Sequence, residues 1–139
     1  PRLAHMDITP PLHEQGPVLD RAHLHRMTMG DEDLAREVLG LFRNQTDMWL
    51  RLIQPSVETR DWAAAVHTIK GSARGVGAWP LAQVCEEAEA EAKARGPLAA
   101  GDKLWWRDKI TTEIDAAIQE IAKIEHQMTL SVLRRASNA

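Results

Sequence analysis

Apolar residues recur every three to four positions along this chain, in one short and four long stretches, which is the period of helices that bury one face. The short stretch, Val18 to Met27, has Asp20 near its start and is broken by Gly30. From Asp31 onward, Leu34, Val38, Leu41, Phe42, Gln45, Met48, Trp49, Leu52 and Ile53 predict a long amphipathic helix that weakens at Pro55. Asp61 is the expected N-cap of the next helix, whose stripe is Trp62, Val66, Ile69, Ala73 and Val76 and which runs to about Gly77. Trp79-Pro80 puts proline in the first turn of a third long helix. Its stripe is Leu81, Val84, Cys85, Ala88 and Ala92, and Arg95-Gly96-Pro97 ends it. Gly101-Asp102 caps the last helix, where Leu104, Ile110, Ile114, Ala117, Ile118, Ile121 and Ile124 carry the pattern on.

Four long stripes joined by short connections predict an all-α protein, an antiparallel four-helix bundle with a short extra N-terminal helix. The bundle is expected over residues 18–128, after a flexible leader over 1–17 that holds Pro10-Pro11 and Gly16-Pro17 and before a frayed tail over 129–139. With 139 residues the chain has the size of one domain. A hydrophobic content of 44% with no tyrosine suits helices better than a sheet.

Charge and cysteine content narrow the chemistry. A net charge of −3 without an arginine-rich stripe gives no field for nucleic acid. The single cysteine, Cys85, excludes an internal disulfide and a cysteine-based zinc site, and its place in an apolar stripe makes it a small buried hydrophobe. His5, His13, His23 and His25 do not have metal-ligand spacing, because His-x-His on a short helix points the two rings apart, so no metal is expected. Ser72 has no His-Asp relay around it. No apolar stretch approaches the about 20 residues of a membrane span, and no signal peptide is visible, so a cytoplasmic protein is expected.

The most informative run is His67-Thr68-Ile69-Lys70-Gly71-Ser72-Ala73-Arg74-Gly75-Val76-Gly77-Ala78. At about 100° per residue, His67 lies roughly 140° from the middle of its helix's apolar stripe. It groups there with Ala63, Ala64, Lys70, Gly71, Arg74, Gly75 and Ala78, so the imidazole points outward among very small side chains and two cations. Such a face lets a partner's backbone come close. A phosphoryl group carries about −2 charge near neutral pH, and Lys70, one turn away, can meet it. Helical glycine costs roughly 0.5–1 kcal/mol relative to alanine, so Gly71, Gly75 and Gly77 need a reason other than helix propensity.

This run resembles the signature of the histidine-containing phosphotransfer family, which reads His-Thr-Leu-Lys-Gly-Ser-Ser or Ala, a few variable positions, then an aliphatic residue, Gly and Ala. Here Ile69 replaces the leucine, Ala73 takes the second small position, and Val76-Gly77-Ala78 completes the pattern. Leu81, Cys85 and Glu89 stand where the family shows a leucine, a cysteine and an acidic residue, and Asp20 and Gly30-Asp31 match its upstream features. Gly75 departs from the pattern, since asparagine is common there. The resemblance spans roughly residues 18 to 125.

The resemblance implies that His67 is phosphorylated. It also implies that Glu89 reaches the ring, where a carboxylate accepting from Nδ1–H would leave Nε2 as the nucleophile, against the alternative of an ordinary solvated glutamate. Lys93 matches a position that is often basic in the family, although a plain surface lysine is the simpler reading. The implied function is a phosphorelay carrier that takes a phosphoryl group from a receiver aspartate or a kinase and passes it to another response-regulator receiver. Its partners would then be receiver domains and a histidine kinase, with docking at Ala63, Ala64, Gly71, Arg74 and Gly75. No cofactor is expected on this chain, since Mg²⁺ would sit on the receiver, and neither a nucleotide loop nor an ATP-binding domain is present for self-phosphorylation. A monomer is expected. The alternative is a helical adaptor that binds receivers without carrying phosphate, against which Lys70 and Gly71 argue. A histidine-kinase dimerisation helix is disfavoured because Thr68-Ile69-Lys70 follows the histidine rather than an acidic residue and a proline.

Overall fold

The computed structural model describes residues 17–138. The leader expected over 1–17 lies almost wholly outside them, as do His5 and His13. Among the described residues five helices follow one another: α1 Arg21–Met27, α2 Glu32–Leu52, α3 Thr59–Val76, α4 Trp79–Arg95 and α5 Ala100–Ser137. Helices α2 to α5 pack in a ring, each against the next and α5 back against α2, while α1 lies against α3. Cross-links fix neighbouring directions as antiparallel. Arg43 and Arg107 of α2 and α5 reach Glu125 and the Leu50 carbonyl, Arg74 reaches Glu86, and Trp106 and Arg95 reach Glu91 and Asp102. The core is one cluster to which all five helices contribute, with Trp49, Trp62 and Trp106 among its largest fully buried side chains.

Several expectations are corrected. The buried line of α2 is Ala35, Leu39, Phe42, Thr46 and Trp49, continued by Ile53. Leu41, Met48 and Leu52 are exposed. The helix has more apolar positions than one face can hold, and the packed face includes a small residue and Thr46, whose hydroxyl is satisfied by the Arg43 carbonyl at 3.0 Å. Similarly in α5, Leu104 is exposed and Trp106 takes the core position.

Helix α3 begins at Thr59, not at Asp61. Its N-cap, Glu58, makes no side-chain capping bond, and Asp61 sits in the first turn, where a negative charge still suits the helix dipole. The helix start is set by tertiary contact, since the Thr59 hydroxyl accepts from the Leu98 N–H at 2.9 Å across the bundle end. The buried Lys103 ammonium closes the same corner on the Val57 carbonyl at 2.6 Å.

The other end of α3 is set by Gly77. Its φ of 83° is left-handed, a conformation that glycine adopts without the steric cost of a side chain. Its carbonyl accepts from Asp20 N–H at 2.9 Å. A Cβ there would stand 3.0 Å from the Asp20 carbonyl oxygen and 3.2 Å from the His23 ring. Asp20 also caps α1 through His23 N–H at 3.0 Å and accepts from the Trp79 indole at 3.0 Å. One aspartate therefore seats α1 on the α3–α4 corner. Because α3 stops here, Ala78 turns inward and is fully buried, contrary to its expected place on the His67 face.

Helix α5 continues to Ser137, where a frayed tail was expected from residue 129. Its last core residue is Ile124, beyond which Leu130, Val132 and Leu133 are exposed. Intrahelical bonding carries this extension, together with an Arg135–Glu32 pair at 3.5 Å.

Candidate functional site

Helices α3 and α4 run side by side, and His67 projects from α3 with its side chain 66% exposed. The Nδ1 atom lies 2.8 Å from Glu89 Oε2 on α4. The other oxygen of that carboxylate, Oε1, accepts from Lys70 Nζ at 2.6 Å. Helical spacing puts His67 and Lys70 one turn apart on α3, and Glu89 bridges both from the opposite helix. Burial alone would raise the Glu89 pKa, but the hydrogen bonds from Lys70 and His67 outweigh it and hold the carboxyl below its ordinary value. It is therefore ionised at neutral pH and can only accept, so a neutral imidazole must carry its proton on Nδ1 and leave the Nε2 lone pair free.

Lys70 is less open than its place on the outward face implied. Its side chain is 14% exposed and drawn sideways onto Glu89. Around His67, Ala64, Gly71 and Arg74 are exposed and Ala63 and Gly75 half-buried. Arg74 pairs loosely with Glu86 at 3.4 Å, both ends in solvent. A Cβ built on Gly71 or Gly75 would meet nothing within 4 Å. No packing inside the molecule requires glycine at either position. Lys93 is exposed and borders a shallow groove with Arg60, Ala63 and Glu89. Cys85 is buried beneath this surface, and its burial pushes the thiol up to about 12.

The sequence reading missed a second feature of this side of the bundle. Met27, Leu34, Val38, Leu41, Phe42, Gln45, Ser72, Gly75 and Val76 border an apolar groove of about 310 Å³ between α2, the end of α1, and α3. Its α3 wall, Ser72 to Val76, lies about one and a half to two and a half turns from His67, and it carries little polar surface. The signal is present in the sequence as a surplus of apolar positions on α2, more than one buried face can hold.

An outward histidine, hydrogen-bonded through Nδ1 to a carboxylate that also holds a lysine, on a four-helix bundle, defines a phosphoryl carrier of the phosphorelay type. Residues 32–124 match the family model of the Hpt domain, and the chain belongs to that family of histidine phosphotransfer proteins. Among solved structures it is similar to the histidine phosphotransferase ShpA of Caulobacter crescentus, at 36% identity over 84% of this chain and 98% of that one, with a TM-score of 0.65. The histidine-containing phosphotransfer protein HptB of Pseudomonas aeruginosa and the HPT domain of a Shewanella hybrid histidine kinase share the fold, each at 18% identity over 81% of this chain and 97% of theirs, with TM-scores of 0.68 and 0.59. None of the curated proteins compared with the sequence matches it.

Proposed function

We propose that His67 is the phosphoryl-accepting residue of this phosphotransfer protein, receiving the group from a receiver aspartate or a kinase and passing it to another receiver. The observation that carries this reading is the Glu89 bridge, which presents Nε2 outward as a nucleophile while holding Nδ1–H and Lys70 on one carboxylate. In the transfer, the Nε2 lone pair forms the N–P bond as the P–O bond to the donor carboxylate breaks and that carboxylate leaves. The ring becomes a cation that keeps its Nδ1 proton, and the adjacent Glu89 carboxylate offsets the new charge. Lys70 supplies an ammonium within reach of the transferring group, whose in-line geometry the two proteins fix jointly. The receiver contributes its own acidic pocket and Mg²⁺, so this chain works without a cofactor. With no nucleotide-binding element in its sequence, it does not phosphorylate itself, and it acts as a monomer in the cytoplasm.

Docking centres on Ala63, Ala64, Gly71, Arg74 and Gly75. Two exposed glycines without an internal packing role suit close approach by a partner's backbone. Gly75 also lines the groove bounded by Leu34, Val38 and Leu41, so a receiver that docks on Gly75 reaches it. The test is to incubate the protein with a phosphorylated receiver and follow acid-labile, base-stable label. Wild type is expected to take up label and His67→Gln to take up none, with the melting temperature nearly unchanged, because an exposed substitution shifts stability by no more than about 0.5 kcal/mol. Label on the His67→Gln protein at another residue would sink the assignment.

A further inference from the structure

The groove beside α3 is bordered by oxidisable sulfur. Met27, at the end of α1, borders it directly and is 57% exposed. Met48, 44% exposed, does not line the groove but stands one turn beyond its Gln45 and seven residues after Leu41 on α2, on the Leu41 face within roughly 20°. Met29 is the most open, at 86%, but it sits in the turn after α1, outside the helices that wall the groove. The single cysteine offers no competing target, since Cys85 is buried and its thiol is held protonated, and the protonated thiol is a poor nucleophile. A thioether needs no deprotonation to react.

We propose that Met27 and Met48 are oxidation sites through which a peroxide-class oxidant lowers receiver docking without touching the chemistry at His67. The proposal rests on the carrier function and on docking over this groove. In the reaction a sulfur lone pair attacks one peroxide oxygen. The S–O bond forms, the O–O bond breaks, and the other oxygen leaves as water with both protons. The sulfur is oxidised by two electrons and the peroxide reduced. A flexible apolar side chain thereby becomes a polar sulfoxide, and a partner that had covered the thioether must bury an oxygen acceptor with nothing to bond it. The loss is reversible, because methionine sulfoxide reductases restore the thioether.

The experiment treats the protein with hydrogen peroxide, locates the added oxygen by peptide mass spectrometry, and measures His67 labelling from a phosphorylated receiver and, separately, from phosphoramidate. Each protein is scored as the ratio of its rate after oxidation to its rate before, so that any direct effect of a substitution on docking cancels. For wild type the receiver-dependent ratio is expected to fall about tenfold, as one unsatisfied buried polar group implies, while the phosphoramidate ratio stays near one. Met29→Leu should lose as much as wild type. The Met27→Leu/Met48→Leu double variant should keep its rate, and methionine sulfoxide reductase should restore the wild type.

An unchanged receiver-dependent rate after full oxidation at Met27 and Met48 would overturn the proposal, as would an equal loss in the double variant or a parallel loss with phosphoramidate. If the unoxidised protein takes no label from either donor, it is the carrier function that fails, and the proposal falls with it.

Discussion

Glu89 Oε2 lies 2.8 Å from His67 Nδ1, so a residue on α4 decides which nitrogen of an α3 histidine keeps a free lone pair. The same carboxylate holds Lys70 at 2.6 Å, which ties the imidazole and the ammonium to a single anchor.

Removing that anchor should separate catalysis from folding. Glu89→Ala is expected to slow receiver-dependent labelling about tenfold to a hundredfold, the range for losing a charge-assisted hydrogen bond. Glu89→Gln, which still offers an acceptor oxygen, should lose less. Single-turnover labelling of the three proteins checks this, and equal rates would mean that the ring needs no orienting.

The bridge also predicts a pH dependence of stability. Because the folded Glu89 pKa is depressed below 4.5, its contribution is fully present above that value and is lost as pH falls through the folded pKa. The difference in urea midpoint between wild type and Glu89→Gln should therefore be constant near neutrality and shrink below about pH 4.5. A gap that instead widens on acidification would reverse the sign argued here.

Lys70→Ala should slow phosphoryl transfer by about tenfold or more while changing receiver affinity little, since the ammonium acts where charge develops. Lys70 is largely covered and paired, so it has little surface to give to docking. Measured affinity that drops in step with the rate would make it a docking residue.

Two glycines six residues apart should respond in opposite ways. At Gly71 an added side chain meets open space, so Gly71→Leu should gain several tenths of a kcal/mol in helix propensity while blocking receiver-dependent labelling and sparing phosphoramidate labelling. At Gly77, with φ 83° and Asp20 at 3.0 Å, Gly77→Ala should destabilise by about 1–3 kcal/mol and loosen α1. Urea titration of both variants, with hydrogen exchange over α1, reads these effects.

Glu113 on α5 is buried, and burial raises its carboxyl pKa, offset only in part by the charge of Lys109. A raised carboxyl pKa means that the folded state binds the proton more tightly, so stability is greater below the unfolded value of 4.5 and falls as pH rises through the folded one. Glu113→Gln is expected to raise the urea midpoint at neutral pH and to leave it unchanged at pH values where both states are protonated.

Helix number and order, and the histidine with its outward face, were legible in the sequence, because periodicity reports which residues share a side whatever that side touches. The end of α3 at Gly77 was legible too, although the burial of Ala78 just beyond it was not. The choice between two apolar faces of α2 was not. Leu41 and Leu39 are equally hydrophobic, and only the positions of α3 and α5 decide that Leu39 is buried while Leu41 borders a groove. Local capping rules likewise point to Asp61, whereas the Thr59 hydroxyl is engaged by Leu98 in the connection between α4 and α5. The lysine was placed on the correct helix face by its spacing. Its turn toward Glu89, nineteen residues away, is a property of two helices packed together, and no rule that reads one helix at a time contains it.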